Sequence, residues 1–333
     1  MSDFRARLEK FLTERNQPLD IEQLTPDASV REYFRVLWNN DSAIACVYPE
    51  IFVAREQSYI DVTNLFLVSS LPVAKIYDFS ESLGTIILED FGDTILRDAL
   101  LAADSEKREK LLNEAIVLIA RIQAATPKTF ELNSIASRLK FDEEKLSWEL
   151  DFFKTHYFES FKKQPLAAAD DEKLTAEFVE IARELGARAN VLCHRDFHAA
   201  NLMIDRAGKL RIIDHQDARL GSVAYDLVSL LLDRITETPE KNRLDEKKKL
   251  FLAEREKLGL EKIAFENFEY EFNLQTIQRC LKAAGTFSYQ STFRAKTYFV
   301  PFIKPMFQIV LQSAQTLERF PNLQEILSRE LNS

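Results

Sequence analysis

His194, Asp196, His198, Asp205, Asp214, His215 and Asp217 crowd into one stretch of the chain, which holds only 4 histidines in all. Such crowding is costly in a purely structural segment and expected in a reactive one. The informative substring is His194-Arg195-Asp196-Phe197-His198-Ala199-Ala200-Asn201, an H-x-D with an asparagine five residues after the aspartate. A short apolar run ending in Asp214 follows. The first part of this pattern arises by chance in about one sequence in a hundred of this composition. Phosphoryl transfer from a nucleotide asks for these parts: an aspartate that accepts a hydroxyl proton, an amide oxygen that reaches a metal, and a second aspartate bridging that metal to the phosphates. On that reading Asp196 is the catalytic base, and Asn201 and Asp214 are ligands of Mg²⁺, which prefers oxygen donors. Two other chemistries use the same residues. His194, Asp196, His198, Asp214 and His215 offer imidazoles and carboxylates to zinc or manganese in a metallohydrolase, and a catalytically silent module would bind nucleotide without transferring phosphate.

The elements that must hold these residues follow from apolar periodicity. Residues 4–12 carry Phe4, Leu8, Phe11 and Leu12 at helical spacing. Residues 21–50 alternate apolar and polar positions and are broken at Pro26-Asp27 and at Asn39-Asn40-Asp41, which predicts three antiparallel strands with the middle one at 32–38. A helix over 51–70 and two strand-like pieces at 74–79 and 85–89 complete a small sheet region. Long amphipathic stretches at 94–102, 105–125, 142–159 and 171–188 then predict a helical region. It is interrupted by the reactive segment, with short apolar runs at 201–204 and 210–213 around a turn at 206–208. Helices resume from 223, and the charge-dense run KNRLDEKKKLFLAEREK reads as a solvated helix face. The expected fold class is α+β, divided into residues 1–92 with the sheet and 93–333 with the helices.

Composition narrows the function. The 333 residues carry a net charge of −9, which disfavours a nucleic-acid partner. Hydrophobic residues make up 46%, enough for a large core. The 7 glycines never come close enough together for a Rossmann fingerprint or a Walker-type loop. The 3 cysteines (Cys46, Cys193, Cys280) form no metal or redox pair and suit free thiols in a reducing compartment. The charged N-terminal stretch lacks the apolar core of a signal peptide, and no run is long enough to span a membrane, so a cytoplasmic protein is expected.

The segments VLCHRDFHAANLMI, RIIDHQDARLGSVAYDLVSLL and TIILEDFGD resemble the aminoglycoside phosphotransferase and choline kinase superfamily. Residues 27–35 (DASVREYFR) and the HRDFH wording are similar to bacterial kinases that phosphorylate N-acetylmuramate and N-acetylglucosamine at the anomeric hydroxyl in cell-wall recycling. The resemblance implies a two-lobed protein-kinase-like fold, with a small antiparallel-sheet N-lobe, a larger helical C-lobe and ATP with Mg²⁺ between them. It implies a phosphotransferase acting on an alcohol group of a small molecule, with another metabolite or an aminoglycoside as alternative acceptors. Residues 27–33 would then cover the phosphates through Ser29 and backbone amides, and residues 89–92, including Glu89 and Phe91, would form the adenine hinge. Asp226 would brace the catalytic loop, while His198 and Asp217 are candidates for acceptor contact. One departure stands out: the third strand holds no lysine to neutralise the phosphates. Arg31 and Arg35 are the nearby cations, and Arg31 is the better candidate because it sits closer to the loop tip and its planar fork suits phosphate oxygens.

Overall fold

The computed structural model describes residues 3–24, 30–235 and 237–332. The chain divides into two compact units, Met1–Arg108 with Ala199–Asp217, and Glu109–His198 with Ala218–Ser333.

The first unit opens with α1 (Asp3–Glu14) and a five-stranded antiparallel sheet in the order β1-β2-β3-β5-β4. Its strands are β1 (Ile21–Leu24), β2 (Glu32–Trp38), β3 (Asp41–Val47), β4 (Ile76–Ser80) and β5 (Thr85–Glu89). The β2–β3 register runs from Glu32↔Val47 to Trp38↔Asp41, closed by Asn39 and Asn40 at φ 52° and 71°. Two consecutive left-handed residues give the tight turn whose twist matches the flanking strands, and asparagine tolerates that region. Strand alternation sorts the side chains. Phe34, Val36, Ala43, Ala45 and Val47 pack with Leu8, Phe11 and Leu12 of α1 on one face. Each of these large α1 side chains is fully buried, a transfer gain of about 1.5–3 kcal/mol apiece. Tyr33, Ile44 and Cys46 point to the opposite face, where they join Tyr48, Tyr59, Ile86, Leu88, Phe91, Met203 and Ile213.

That opposite face also takes α2 (Ser58–Val68) and the second chain segment. After α3 (Leu96–Ala102), the segment returns as a short 3-10 turn (Ala199–Asn201) and the hairpin β7 (Leu202–Ile204) and β8 (Leu210–Ile212), the label β6 belonging to a strand of the other unit at Val191–Cys193. Bridges Val73↔Ile212 and Ile95↔Met203 tie the hairpin to this unit. The compact units therefore differ from a division at residue 92: residues 93–108 and 199–217 pack with the sheet, because main-chain pairing at Val73 and Ile95 holds the hairpin there.

The second unit is helical: most of α4 (Ser105–Ala124), then α5 (Thr126–Glu131), α6 (Glu143–Lys154) running into a π-helical stretch (Thr155–Phe161), α7 (Ala168–Arg188), α8 (Tyr225–Leu232), α9 (Lys241–Lys257), α10 (Phe265–Phe293), α11 (Ile303–Leu317) and α12 (Pro321–Asn332). Its only strands among the described residues are β6 and β9 (Arg219–Gly221), an antiparallel pair that holds the loop carrying Asp196 at its base. Gly285 lets α10 approach the end of α6 closely, since a Cβ there would lie 2.7 Å from the Phe153 Cα. The charge-dense run is not a solvated face throughout. Lys247, Lys248 and Arg255 of α9 are buried, Lys247 against Glu109 and Asn113, Lys248 against Asp245 and Glu269, and Arg255 on the Gln123 amide oxygen. Long basic side chains cover apolar surface with their stems and remain satisfied when their heads find carboxylates or amides, which a charge count along the sequence does not show.

Candidate functional site

In the second unit, the loop after β6 carries the H-x-D pattern, and its shape is set by a buried carboxylate. Asp226, in the first turn of α8, accepts the backbone N–H of His194 at 2.7 Å and of Arg195 at 3.1 Å. Arg195 takes a left-handed backbone conformation, φ 85°, which these two bonds hold in place. Burial pushes the Asp226 carboxyl up to about 7, with the two N–H bonds working in the opposite direction. His194 is fully buried with its ring edge-on to Phe197, and Cys193 is buried against Gly221, so both are packing residues.

The loop presents Asp196 to a set of cations. Lys282 Nζ lies 3.5 Å and Arg279 Nη2 3.6 Å from Asp196 Oδ1, and Arg195 Nε lies 3.7 Å from Oδ2. Burial alone would raise the carboxyl, but Lys282, Arg195 and Arg279 together hold it far below the usual carboxylate range. Arg279 and Lys282 are three residues apart on α10 and therefore share a face. Arg279 is further fixed by its bond to Ser229 Oγ at 3.0 Å. The sequence reading did not select either cation. Their signal was present in Ile277-Gln278-Arg279-Cys280-Leu281-Lys282-Ala283-Ala284, where two full charges interrupt a helical run otherwise apolar but for Gln278. His198 is half-buried, and burial lowers its imidazole pKa despite the nearby carboxylates of Asp233 and Asp196, which favours the neutral ring.

In the first unit, the hairpin places Asn201 and Asp214 at its open end. The β7–β8 register Leu202↔Ile212 sets Asn201 opposite Ile213, whose N–H donates to the Asn201 carbonyl at 3.1 Å. Asp214 follows in the left-handed region, φ 60°. His215 is fully buried, its ring 5.2 Å from Phe66 and 4.9 Å from Tyr59, with Nε2 2.7 Å from Thr63 Oγ1. It anchors the residue after Asp214 to α2 and is a packed ring. Asp217 is half-buried just beyond. Among the described residues no group of three or more histidine, cysteine or acidic side chains could hold a metal ion. Asp214 and Asn201 carry the oxygens that could hold Mg²⁺, an ion commonly bound by one or two protein oxygens together with substrate phosphates.

Arg31 and Arg35 part company in the structure. Arg31 places its guanidinium over the rings of Tyr33 and Tyr48, 5.7 Å from each centroid, and Nη2 lies 3.2 Å from Asp214 Oδ1. Arg35 is taken up by Asp90 at 2.9 Å and Asp93 at 2.6 Å. Asp90 also accepts Ser42 Oγ at 2.5 Å and the Gly92 N–H at 2.8 Å, so it shapes the turn that follows β5. Glu89 N–H donates to the Lys75 carbonyl, and Phe91 is buried beneath the Arg211 guanidinium, 4.8 Å from its ring centroid. The Phe91 N–H makes no hydrogen bond among the described residues. Ser29 lies outside the described residues, as do Asp27 and Ala28 of the expected phosphate loop.

The sequence model of the phosphotransferase enzyme family matches residues 20–260. This chain belongs to that family. It is a phosphotransferase that acts on a hydroxyl group of a small molecule. An N-acetylmuramate/N-acetylglucosamine kinase of Neisseria meningitidis is 29% identical over 274 residues, 81% of this chain and 78% of that protein. Among solved structures, a choline kinase of Streptococcus pneumoniae aligns with TM-score 0.60 at 14% identity, covering 93% of this chain and all of that one. An aminoglycoside phosphotransferase solved with ADP and hygromycin B aligns with TM-score 0.56 at 16% identity, over 92% of this chain and 98% of that one. The α+β fold is thus the protein-kinase-like fold of these phosphotransferases. No described helix is long and apolar enough to cross a membrane.

Proposed function

We propose that this phosphotransferase uses ATP and Mg²⁺ to phosphorylate the anomeric hydroxyl of N-acetylmuramate or N-acetylglucosamine, in the cytoplasm. The observation that carries the reading is the state of Asp196, a carboxylate kept ionised among Lys282, Arg279 and Arg195 on a loop pinned by Asp226. A carboxylate held so far below its usual range is a weak base. It acts mainly by accepting a hydrogen bond from the acceptor hydroxyl and aligning its lone pair, taking the proton late, as a loose phosphoryl-transfer transition state allows. Arg279 and Lys282 keep that carboxylate in one position and ionisation state, so the acceptor oxygen meets a fixed partner. His198 and Asp217 are the adjoining candidates for sugar contact.

On the nucleotide side, Asp214 and Asn201 are the residues that would hold the metal, whose chemistry would be to neutralise charge on the phosphates. Arg31 supplies the phosphate cation that β3 lacks, and Ser29, two residues earlier in the sequence, is the expected hydroxyl contact. The partly buried Ile44, Met203 and Ile213, packed on the Leu88 and Phe91 core, would receive the adenine ring, with the backbone of Glu89 and Phe91 as its hydrogen-bonding edge. The amino-sugar acceptor is supported by the name of the Neisseria relative and by the similarity of residues 27–35 and 194–198 to such kinases. The test is ADP release with Mg-ATP over a panel of N-acetylated amino sugars, amino alcohols and aminoglycosides, with ³¹P NMR of the product. An anomeric phosphate is expected. Turnover with an aminoglycoside or amino alcohol and none with any amino sugar would overturn the acceptor and leave the family untouched.

A further inference from the structure

The ion pair between Arg31 and Asp214 joins the two groups assigned above to phosphate and to metal. Arg31 is held tightly: its side chain is 12% exposed and its guanidinium lies over Tyr33 and Tyr48. Asp214 Oδ1 accepts from Arg31 Nη2 at 3.2 Å and from Gln216 Nε2 at 2.9 Å, while the Asp214 side chain is 42% exposed and can be reached from solvent. The neighbouring cation, Arg35, is committed to Asp90 and Asp93. The β3 strand, Asp41–Val47, carries no cation.

We propose that Arg31 exchanges partners as nucleotide loads, pairing with Asp214 in the nucleotide-free protein and transferring its fork to the polyphosphate, which releases the Asp214 carboxylate for the metal. This deepens the reading of Arg31 as the phosphate cation and rests on it. The physical reason is charge. A divalent cation arriving at Asp214 while Arg31 is paired there meets a positive group at close range, and a guanidinium with so little exposure gains from a new anion as that pair opens. The phosphates of the nucleotide provide that anion, in bidentate geometry that suits an arginine fork better than a lysine. One residue thereby orders the two events, with nucleotide preparing the metal site and metal alone binding poorly.

The exchange makes two affinities move in opposite directions in Arg31→Gln. Mn²⁺ is the metal probe, with free Mn²⁺ counted by electron paramagnetic resonance on the full chain without nucleotide. ADP in EDTA, followed by calorimetry, is the nucleotide probe. In Arg31→Gln, Mn²⁺ affinity should rise about tenfold at low salt and metal-free ADP affinity should fall about tenfold. The Mn²⁺ gain should vanish when Asp214→Asn is added, and Arg35→Gln should leave Mn²⁺ affinity where it is. Arg31→Met, whose flexible apolar chain fills the space beside Tyr33 and Tyr48, serves as the second variant should Arg31→Gln fold poorly, with the same expected signs. Unchanged or weaker Mn²⁺ binding in these variants together with lost ADP affinity would overturn the exchange and keep Arg31 as the phosphate cation. Unchanged ADP affinity would overturn both.

Discussion

Replacing Asp226 with asparagine should reshape the pH dependence of stability. Asp226 is fully buried and accepts two backbone N–H groups, and its carboxyl is pushed up to about 7 by burial. An unfolded aspartate titrates near ~3.9. Between those values the folded chain keeps a proton that the unfolded chain has released, so stability falls as pH rises through this window. The slope is about 1.4 kcal/mol per pH unit, and over roughly three units the loss is at most about 4 kcal/mol. In Asp226→Asn the amide oxygen still accepts one N–H, but the amide NH₂ faces the other and leaves a buried donor unpaired, at about 1–3 kcal/mol. The variant should therefore be less stable than the parent at pH 5 and close the gap or overtake it by pH 8, where the parent carries a buried charge. Glu271 is shifted upward by burial too, but it is common to both proteins and cancels in the comparison. The assay is urea unfolding at pH 5 to 8 in a Trp38→Phe background, leaving Trp148 of α6, in the same unit as Asp226, as the only tryptophan. Parallel pH profiles for the two proteins would refute the reasoning.

Asp196→Asn should lower kcat by about 10²- to 10⁴-fold while leaving Mg-ATP affinity within about twofold, as calorimetry and steady-state kinetics will show. Asp214→Asn should fail differently, losing the metal-dependent part of nucleotide affinity; equal losses of Mg-ATP affinity in both variants would contradict the division of roles. His215→Ala should destabilise the first unit by about 3 kcal/mol, since it empties a fully buried ring position between Phe66 and Tyr59 and orphans Thr63, measurable as a loss of thermal stability. Arg35→Gln leaves buried Asp90 short of its closest cation and should cost about 1–3 kcal/mol in stability with little change in the KM for ATP, whereas Arg31→Gln should raise that KM.

Local chemistry made much of this protein readable from its sequence. Strand alternation located β2 at Glu32–Trp38, and Asn39-Asn40 marked a turn that needs two left-handed residues. Helical periodicity located α4, α7 and α6 with the π-helical stretch that continues it, and the spacing from His194 to Asn201 and on to Asp214 marked the segment proposed to be reactive. Each of these signals depends on residues within a turn or two of one another, where backbone geometry is fixed by the chain itself. The partners of the reactive residues were not readable in this way. Arg279 and Lys282 meet Asp196 from more than eighty residues away, and only the docking of α10 through the small Gly285 brings that helix to where they do so. In the sequence only the nearness of Arg31 to the loop tip separates it from Arg35, whereas in the structure Asp90, Asp93 and Asp214 do so. Lys247 and Lys248 look like solvent-facing charges until Glu109 and Glu269 supply their counter-charges. The sequence determined which residue types stand at which local spacings. Which charge neutralises which is a long-range pairing, decided only when hydrophobic packing brings distant elements within the few ångströms over which ions and hydrogen bonds act.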